Sequence, residues 1–394
     1  MLKYCVGIDV SKTELQCCIS VIDQLQKVTV KASAKFTNTK SGFTRLHQWI
    51  TSRHKHQEVP LVVVMEATGI YYEQIAMYLS QQHYALSVVL PNKAKKYLQS
   101  TGLKSKNDKI DAQGLARMGA EQCLALWQPM DSYFYQLREL TRQHQSLQEL
   151  KTTVNNQLHA SEAGMYQNNL VINQLEALLI TFDEQLHDLT TAIEKHIADK
   201  EEVKQKVDNI CKIKGVGTLT VAVLLAETNG FVLFENSRQL VSYAGYDVVE
   251  NQSGNHRGKT KISKKGNSHI RRAMHMPAFC VVSCEQPPFD GLFNRTLQRH
   301  GQKMKSYVAV QKKLLVIIYA LWKNNSVYEL NHRHNKDKHT GEKEQVLSSL
   351  PGLAQADPVA GQKNSASLPE QVALHKVNLL SNDRSLLPLC QEQK

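Results

Sequence analysis

Apolar residues in the first third of the chain recur in two rhythms that predict alternating strands and helices. Short runs rich in β-branched residues and bounded by polar turns are typical of strands, whereas apolar residues spaced three and four apart are typical of helices. The predicted strands cover residues 4–9, 15–22, 27–36, 61–65 and 85–90, and the predicted helices cover 41–53, with Ser41 as the cap, and 70–82. This order predicts an α/β layer built on a mixed sheet.

The pattern changes after residue 130. Between Tyr135 and Val207 the chain contains a single glycine, Gly164, and no proline. Apolar residues in this stretch recur at steps of three and four, which is the spacing of a coiled coil. We therefore predict two long helices in an antiparallel hairpin, which serves either as an internal arm or as a dimerisation arm.

Further apolar helices are predicted over 221–227, 291–298 and 306–322, and they indicate a mainly helical C-terminal domain. Past residue 325 the chain becomes polar and aperiodic, which is typical of a disordered tail. The predicted fold class is thus α/β plus all-α, with the domains 1–130, 131–206, 207–325 and 326–394.

Four acidic residues stand at the ends of the N-terminal elements. Asp9 ends the first predicted strand, Glu66 ends the fourth, and Asp108 and Asp111 open a helix predicted from Asn107. Helix capping and solvation explain the last pair well when it is taken alone. The joint placement favours a metal site, because carboxylates gathered at one sheet edge repel each other unless divalent cations neutralise them. Two such cations are suited to cleavage of a phosphodiester.

Positive charge is concentrated in one segment. The whole chain has a net charge of +12, and residues 251–323 contain fourteen Lys and Arg but only two acidic residues, so this segment carries all of the excess. A basic segment in an otherwise neutral chain indicates a polyanionic partner, most often nucleic acid.

Cysteine spacing and hydropathy restrict the cellular setting. The eight cysteines are scattered without a Cys-x-x-Cys pair, so reduced thiols are expected instead of disulfides or a zinc site. Cys280 and Cys284 are read as small core residues. No apolar run is long enough for a membrane span, and the first residues lack the form of a signal peptide. We expect a cytoplasmic, nucleoid-associated protein without a membrane partner.

Glycine and lysine mark the candidate nucleic-acid contacts. A Gly-x-Gly turn before a helix exposes backbone N–H groups that can hold a phosphate, as in helix-hairpin-helix elements. The glycine-rich polar loop 252–267 could likewise contact the anionic backbone of a nucleic acid. A solvated loop is the alternative for the basic stretch that follows Pro91. The candidate contacts are Lys93, Lys95, Lys96, Lys104, Lys106, Lys214, Gly215, Gly217, Arg257, Lys259, Lys261, Lys264, Lys265, Arg271 and Arg272.

Three motifs carry a family resemblance: Asp9-Val10-Ser11-Lys12, Glu66-Ala67-Thr68-Gly69 and Asn107-Asp108-Lys109-Ile110-Asp111-Ala112. They resemble the acidic motifs of the DEDD transposases of the insertion sequence 110 family, whose N-terminal domain is similar to the RuvC Holliday-junction nuclease. The resemblance implies an RNase H/RuvC-like fold in which the four acids are catalytic ligands of Mg2+, with Mn2+ as an alternative.

The loop 252–267 resembles the C-terminal signature of the same family, in which a serine followed by glycine acts as the nucleophile and becomes linked to DNA. Ser253 is the matching residue, and Ser263 is the rival candidate. The resemblance also implies DNA at the element ends and target, a structured guide RNA, and a homo-oligomer that is a dimer or a tetramer.

The leading functional hypothesis is an insertion-sequence transposase that cleaves, exchanges and rejoins DNA strands. A site-specific DNA invertase of the same superfamily has the same motifs. A RuvC-like junction endonuclease would keep the acids but use a metal-activated water in place of the serine. A nucleic-acid-binding protein with a relic nuclease domain is the non-enzymatic alternative.

Overall fold

The structure is a computed structural model that describes residues 1–102, 107–250, 252–254, 256–258 and 260–329, with only the backbone of His256 and Arg257. Residues 1–330 form one compact unit. Lys104, Lys106 and Lys259, and all but the first four residues of the predicted tail, lie outside the described residues.

Five strands form a mixed sheet in the N-terminal part. They are β1 (Lys3–Val10), β2 (Glu14–Ile22), β3 (Val28–Thr37), β4 (Leu61–Glu66) and β5 (Ala85–Val89). Their order in the sheet is β3-β2-β1-β4-β5, with β2 antiparallel to both β1 and β3. Strands β4 and β5 run parallel to β1. The predicted mixed α/β sheet is therefore confirmed.

Four helices accompany this sheet: α1 (Lys40–Arg53), α2 (Glu73–Gln81), α3 (Pro91–Ser100) and α4 (Asp108–Glu121). The N-cap of α1 is Thr39, whose hydroxyl accepts from the Gly42 N–H, so the prediction of Ser41 as the cap was wrong. The alternative of a solvated loop after Pro91 was also wrong. This proline is the first residue of α3, where its fixed φ suits the helix and its missing N–H is not needed.

Two long helices confirm the predicted hairpin. They are α5 (Ser132–Glu162) and α6 (Asn169–Ala198), followed by a shorter helix α7 (Glu201–Cys211). The Tyr133 hydroxyl, at the start of α5, donates to the carbonyl of His196 near the end of α6 at 2.9 Å. Lys151 pairs with Asp183 midway along both helices. The two helices are therefore antiparallel, and a role for them in dimerisation stays a prediction.

The C-terminal part is mainly helical, as predicted. Its helices are α8 (Thr218–Thr228), α9 (Ser237–Tyr243), α10 (Ser268–Ala273), α11 (His275–Ser283), α12 (Phe289–His300) and α13 (Lys303–Asn324). Phe231, Tyr246 and Phe289 are fully buried in a core that also takes in Leu137 and Ile193 from the helical hairpin. The base of the hairpin and the C-terminal helices therefore share one hydrophobic core.

The seven cysteines within the described ranges are all free thiols, as expected. Cys280 is partly buried, but Cys284 is exposed, so its assignment to the core was wrong. It is the C-cap residue that directly follows α11. Across the described ranges, no helix combines the length and apolar character needed to cross a bilayer.

Helix α4 packs on the central strand with almost no clearance. A Cβ atom built on Gly7 of β1 would lie 2.1 Å from the carbonyl oxygen of Ala112 and 2.2 Å from the backbone nitrogen of Ala116. A Cβ atom built on Gly119 would lie 2.3 Å from Cys5 Sγ. Glycine is required on both surfaces because backbone and buried sulfur occupy the space that a side chain would need.

We expect Gly7→Ala to lower the free energy of unfolding by about 3 kcal/mol, because the added methyl group meets backbone atoms that cannot rotate away. Gly291→Ala in α12 is the matched control, since nothing lies within 4 Å of a Cβ built there. It should stabilise the protein by up to about 1 kcal/mol. Urea unfolding followed by circular dichroism measures both variants, and equal stability of the two would contradict the packing described.

Candidate active site

Strand register brings two of the predicted acids together. The last paired residues of β1 and β4 are Ile8 and Met65, and Asp9 and Glu66 come directly after them. Because β1 and β4 are parallel neighbours, these two positions lie about 5 Å apart at the same edge of the sheet. Both residues are partly exposed.

Both side chains project to the face of the sheet that α4 covers. Gly7 faces α4, and Asp9 is two residues further along the same strand. A Cβ atom built on Gly119 of α4 would lie 2.5 Å from Val64 Cγ2, and Glu66 is two residues beyond Val64. Since alternate residues of a strand share a face, Asp9 and Glu66 both point toward the α4 side.

The direction of α4 brings its first turn to this edge. Gly119 contacts Cys5 near the start of β1, whereas Ala112 contacts Gly7 further along the strand. The direction along β1 from Cys5 to Asp9 is therefore the direction along α4 toward its N-terminus. Asp108 and Asp111 lie in that first turn, the former exposed and the latter partly exposed.

Local capping explains why α4 begins where it does. The Asn107 side chain accepts from the Ile110 N–H at 2.9 Å, and the Asp111 N–H donates to the Asn107 carbonyl. An asparagine cap satisfies a donor that the helix itself leaves free, and carboxylates in the first turn are favoured by the helix dipole. Asn107 therefore fixes the end of the helix that carries both aspartates.

The donor set suits a divalent cation that prefers oxygen. All four side chains are carboxylates, which are the ligands that Mg2+ and Mn2+ take in proteins. Within the described ranges no three acidic, histidine or cysteine side chains are drawn closely enough together to form a metal centre. The residues fit such a cation in chemistry and in their shared edge, and Mg2+ usually binds through one or two carboxylates together with waters and substrate phosphates.

Ser253 lies near the tip of a β-hairpin. Short strands β6 (Val248–Val249) and β9 (Lys261–Ile262) pair at the base, and β7 (Gln252–Ser253) pairs with β8 (His256–Arg257) at the tip. Ser253 is exposed and pairs with His256. The following Gly254 has φ of +53°, a conformation that glycine adopts without strain. The glycine therefore permits the turn that presents the serine.

Ser263 is held in a different way. Its hydroxyl donates to the Gly245 carbonyl at 3.3 Å and accepts from the Lys265 N–H at 3.3 Å. Its backbone N–H donates to the Asp247 carbonyl at 2.7 Å. The side chain is partly buried at the base of the hairpin, where it joins the two sides.

The predicted nucleic-acid contacts divide into exposed cations and structural groups. The exposed ones are Lys93, Lys95 and Lys96 on α3, and Lys214, Lys261, Lys264 and Lys265 in the C-terminal part. Arg271 instead donates from Nη1 to the carbonyls of Ala244, Gly266 and Asn267. Arg272 pairs with Glu149 on the helical hairpin.

The two glycines before α8 also differ. Gly215 has φ of +92°, and a Cβ atom there would lie 2.4 Å from the Cβ of Cys280, so packing alone requires glycine. Gly217 is the N-cap of α8 and has open space around it.

Seven further exposed cations on α12 and α13 were not singled out from the sequence: Arg295, Arg299, Lys303, Lys305, Lys312, Lys313 and Lys323. The signal was present in the charge of residues 251–323, but it was assigned to the loop.

An ion pair between the half-exposed Arg142 of α5 and the buried Glu227 of α8 joins the helical hairpin to the C-terminal helices, and sequence analysis missed it. The Glu227 carboxylate accepts from Arg142 Nε at 2.7 Å and Nη2 at 2.9 Å. It also accepts from Asn267 Nδ2 at 2.6 Å. Burial raises the pKa of the Glu227 carboxyl, but the hydrogen bonds from Arg142 and Asn267 outweigh burial, so the pKa lies below its ordinary value of 4.5.

We expect Arg142→Ala to lower the free energy of unfolding by about 3 kcal/mol at neutral pH, because it removes two hydrogen bonds and the ionic partner of a buried carboxylate, which then keeps the hydrogen bond from Asn267. A carboxyl with a lowered pKa stabilises the fold above pH 4.5, and this contribution is lost as the pH falls through the pKa of the folded state. The stability gap between wild type and variant should therefore narrow in acid. Urea unfolding at neutral pH and at a pH below the pKa of Glu227 in the folded state measures this difference in stability.

Arg138→Ala is the matched control. Arg138 pairs with Glu73 at 3.3 Å, and both side chains are about one-quarter exposed. Its loss should cost about 1 kcal/mol or less. If Arg142→Ala cost no more than Arg138→Ala, the ion pair would not be the stabilising contact described.

Two family models define the class of this protein, which is a transposase. A DEDD transposase model for IS110 matches residues 6–161, and the model described as "Transposase IS116/IS110/IS902 family" matches residues 207–293. Together they span more than half of the chain, which belongs to this transposase family of DNA recombinases.

Two relatives and one solved structure extend the comparison. The chain is 28% identical to the pilin gene-inverting protein of Moraxella bovis over 332 residues, which cover 84% of this chain and 98% of that protein. It is 24% identical over 356 residues to the transposase for insertion sequence element IS1111A of Coxiella burnetii, covering 82% of this chain and 90% of that protein. The structure of Thermus thermophilus RuvC matches 30% of this chain and 93% of its own, with 13% identity and a TM-score of 0.25.

Proposed function

We propose that this transposase cleaves and rejoins DNA at the ends of its own insertion sequence and at the target, using Ser253 as the nucleophile and Asp9, Glu66, Asp108 and Asp111 as the acidic site. The main support is the strand register, in which Asp9 and Glu66 directly follow the paired residues Ile8 and Met65. Both acids face the α4 side of the sheet, and the other two lie in the first turn of α4.

The four carboxylates would hold Mg2+ or Mn2+, which when bound neutralises the phosphate and stabilises negative charge that develops during displacement. In the proposed reaction Ser253 Oγ forms a bond to phosphorus, and a phosphorus–oxygen bond to deoxyribose breaks. The serine proton passes to a carboxylate of the acidic site, and the released sugar oxygen takes up a proton. Rejoining reverses these changes, because a sugar hydroxyl attacks the phosphoserine and restores the serine.

Ser253 is preferred to Ser263 because its side chain is exposed, whereas the Ser263 hydroxyl is engaged at the hairpin base. For the proton transfer, the tip of the hairpin must reach the acidic edge, within one subunit or between two subunits of a dimer or tetramer. The exposed lysines of α3 and of the hairpin would contact the DNA or RNA backbone. We also propose that a structured guide RNA supplies the sequence recognition by base pairing with the DNA.

The function is tested by recombination in a defined system. The protein is purified from cells that express the whole element, its bound RNA is sequenced, and the complex is incubated with donor and target plasmids in Mg2+. The expected products are joined donor–target molecules whose junctions map to the element ends. Cleaved ends without joined products would instead support a junction endonuclease that uses water.

A site-specific invertase is the second candidate, because the pilin gene-inverting protein of Moraxella bovis aligns with 84% of this chain. A substrate plasmid that carries two inverted copies of the element end separates the two functions. Inversion of the intervening DNA without insertion into a separate target would favour the invertase.

A further inference from the structure

One asparagine connects the two loops that follow the acid-bearing strands. Asn38 lies between β3 and α1. Its side-chain Nδ2 donates to the Ser11 carbonyl at 2.9 Å and to the Tyr71 carbonyl at 3.1 Å. Its backbone N–H donates to the Thr13 carbonyl at 2.8 Å. A single amide group therefore joins the β1–β2 turn to the segment that leads from β4 into α2.

The two acceptors are close in sequence to the acids. Ser11 is two residues beyond Asp9, and Tyr71 is five residues beyond Glu66. The segment after Glu66 is folded into successive tight turns, in which the Thr68 N–H donates to the Glu66 carbonyl and the Tyr71 N–H donates to the Thr68 carbonyl. Tyr71 is thus connected to Glu66 through two short hydrogen-bonded turns.

The chemistry of asparagine suits this connection. Its NH2 group carries two protons on one nitrogen, so it can donate to two carbonyl oxygens at once. An aspartate of the same shape has only acceptors when ionised, and it would face two carbonyl oxygens with the wrong polarity. A small aliphatic side chain would leave the two loops without this shared donor.

We propose that Asn38 is a positioning residue that sets the spacing of the Asp9 and Glu66 carboxylates, so that they bind one divalent cation together. The proposal rests on the proposed metal-dependent function of this edge. Replacement of a group that hydrogen-bonds to metal ligands and orients them commonly lowers metal affinity about 10- to 100-fold. Asn38 acts through backbone carbonyls of the ligand-bearing loops and itself lies outside the set of proposed ligands.

Asn38 also precedes Thr39, the N-cap of α1, so a purely structural role must be separated from a positioning role. Thr39→Ala is the matched control. It removes the neighbouring side chain and the hydrogen bond from the Gly42 N–H, but it leaves the Asn38 contacts in place. If the effect came only from a loss of stability at the start of α1, metal binding would weaken equally in the Asn38 variants and in Thr39→Ala.

The test compares wild type, Asn38→Asp, Asn38→Ala and Thr39→Ala in two measurements. Mn2+ binding to the full chain is titrated without DNA by electron paramagnetic resonance, and Mg2+ dependence of DNA cleavage is measured separately. We expect both Asn38 variants to raise the dissociation constant for Mn2+ and the half-saturating Mg2+ concentration by about tenfold, with the cleavage rate at saturating Mg2+ changed much less. Thr39→Ala should leave both metal measurements unchanged.

The outcomes separate this inference from the function on which it rests. If wild type bound Mn2+ and cleaved DNA but the Asn38 variants had unchanged metal affinity, Asn38 would not be a positioning residue. An equal loss in Thr39→Ala would also overturn the inference, since the effect would then come from α1. If wild type bound no divalent cation at this edge, the proposed function itself would fail.

Discussion

Replacement of Asp9 by asparagine is expected to lower the rate of DNA strand cleavage about a thousandfold while the protein remains folded. A bound cation contributes several kcal/mol of charge stabilisation in a phosphodiester displacement, and each 1.4 kcal/mol or so corresponds to a factor of ten in rate. Asparagine keeps the size of the side chain but lacks the negative charge that neutralises the cation. The ladder between Asp9 and Gln16 is made by the backbone and should persist.

Single-turnover cleavage of a supercoiled plasmid measures this loss, and thermal unfolding checks the fold. Glu14→Gln is the matched control, because Glu14 is an exposed acid at the start of β2 that pairs with Lys35. Its cleavage rate should equal that of wild type. Glu66→Gln should resemble Asp9→Asn, since both residues follow the paired ends of parallel strands. Normal cleavage by Asp9→Asn would show that the acidic edge is not the site of the chemistry.

The sheet and the placement of Asp9 and Glu66 at one of its edges could be predicted from the sequence because their signals are local. Strands β1 and β4 are short, largely buried runs, each with an acid at or next to its last residue, and a parallel pair brings such ends to one edge. The helical hairpin was predictable for the same reason, since the spacing of its apolar residues repeats over many turns. Local patterns of this kind can be recognised in a single sequence.

The contacts that bring α4 to the same edge could not be predicted. They depend on Gly7 and Gly119, which are far apart in the chain and allow close approach only once the sheet and helix are packed together. The ion pair between Arg142 and Glu227 has the same character, because neither residue lies in a pattern that identifies its partner. Such contacts are properties of the tertiary structure.

Short elements were the other source of error. Each strand of the Ser253 hairpin is two residues long, which is too short for an alternating pattern to appear. Pro91 was read only as the end of a strand, although the same residue begins α3. Both features became clear only from the backbone conformation.

Ser253→Ala is expected to abolish the covalent protein–DNA adduct and to lower strand exchange by at least about a thousandfold, because removal of a nucleophile leaves only the contribution of binding and charge. The adduct is detected by denaturing electrophoresis of protein incubated with labelled DNA, after digestion of unprotected DNA. Ser253 is exposed, so the substitution should leave the free energy of unfolding within about 0.5 kcal/mol of wild type.

Ser263→Ala gives the opposite combination of effects and therefore decides between the two serines. Its hydroxyl bonds to the Gly245 carbonyl and the Lys265 N–H, so its loss should cost about 1 kcal/mol of stability. The adduct should still form, because the exposed serine at the hairpin tip is unchanged. Loss of the adduct in Ser263→Ala with retention in Ser253→Ala would reverse the assignment. Full strand exchange by both variants would mean that neither serine attacks DNA, and a metal-activated water would then be the better nucleophile.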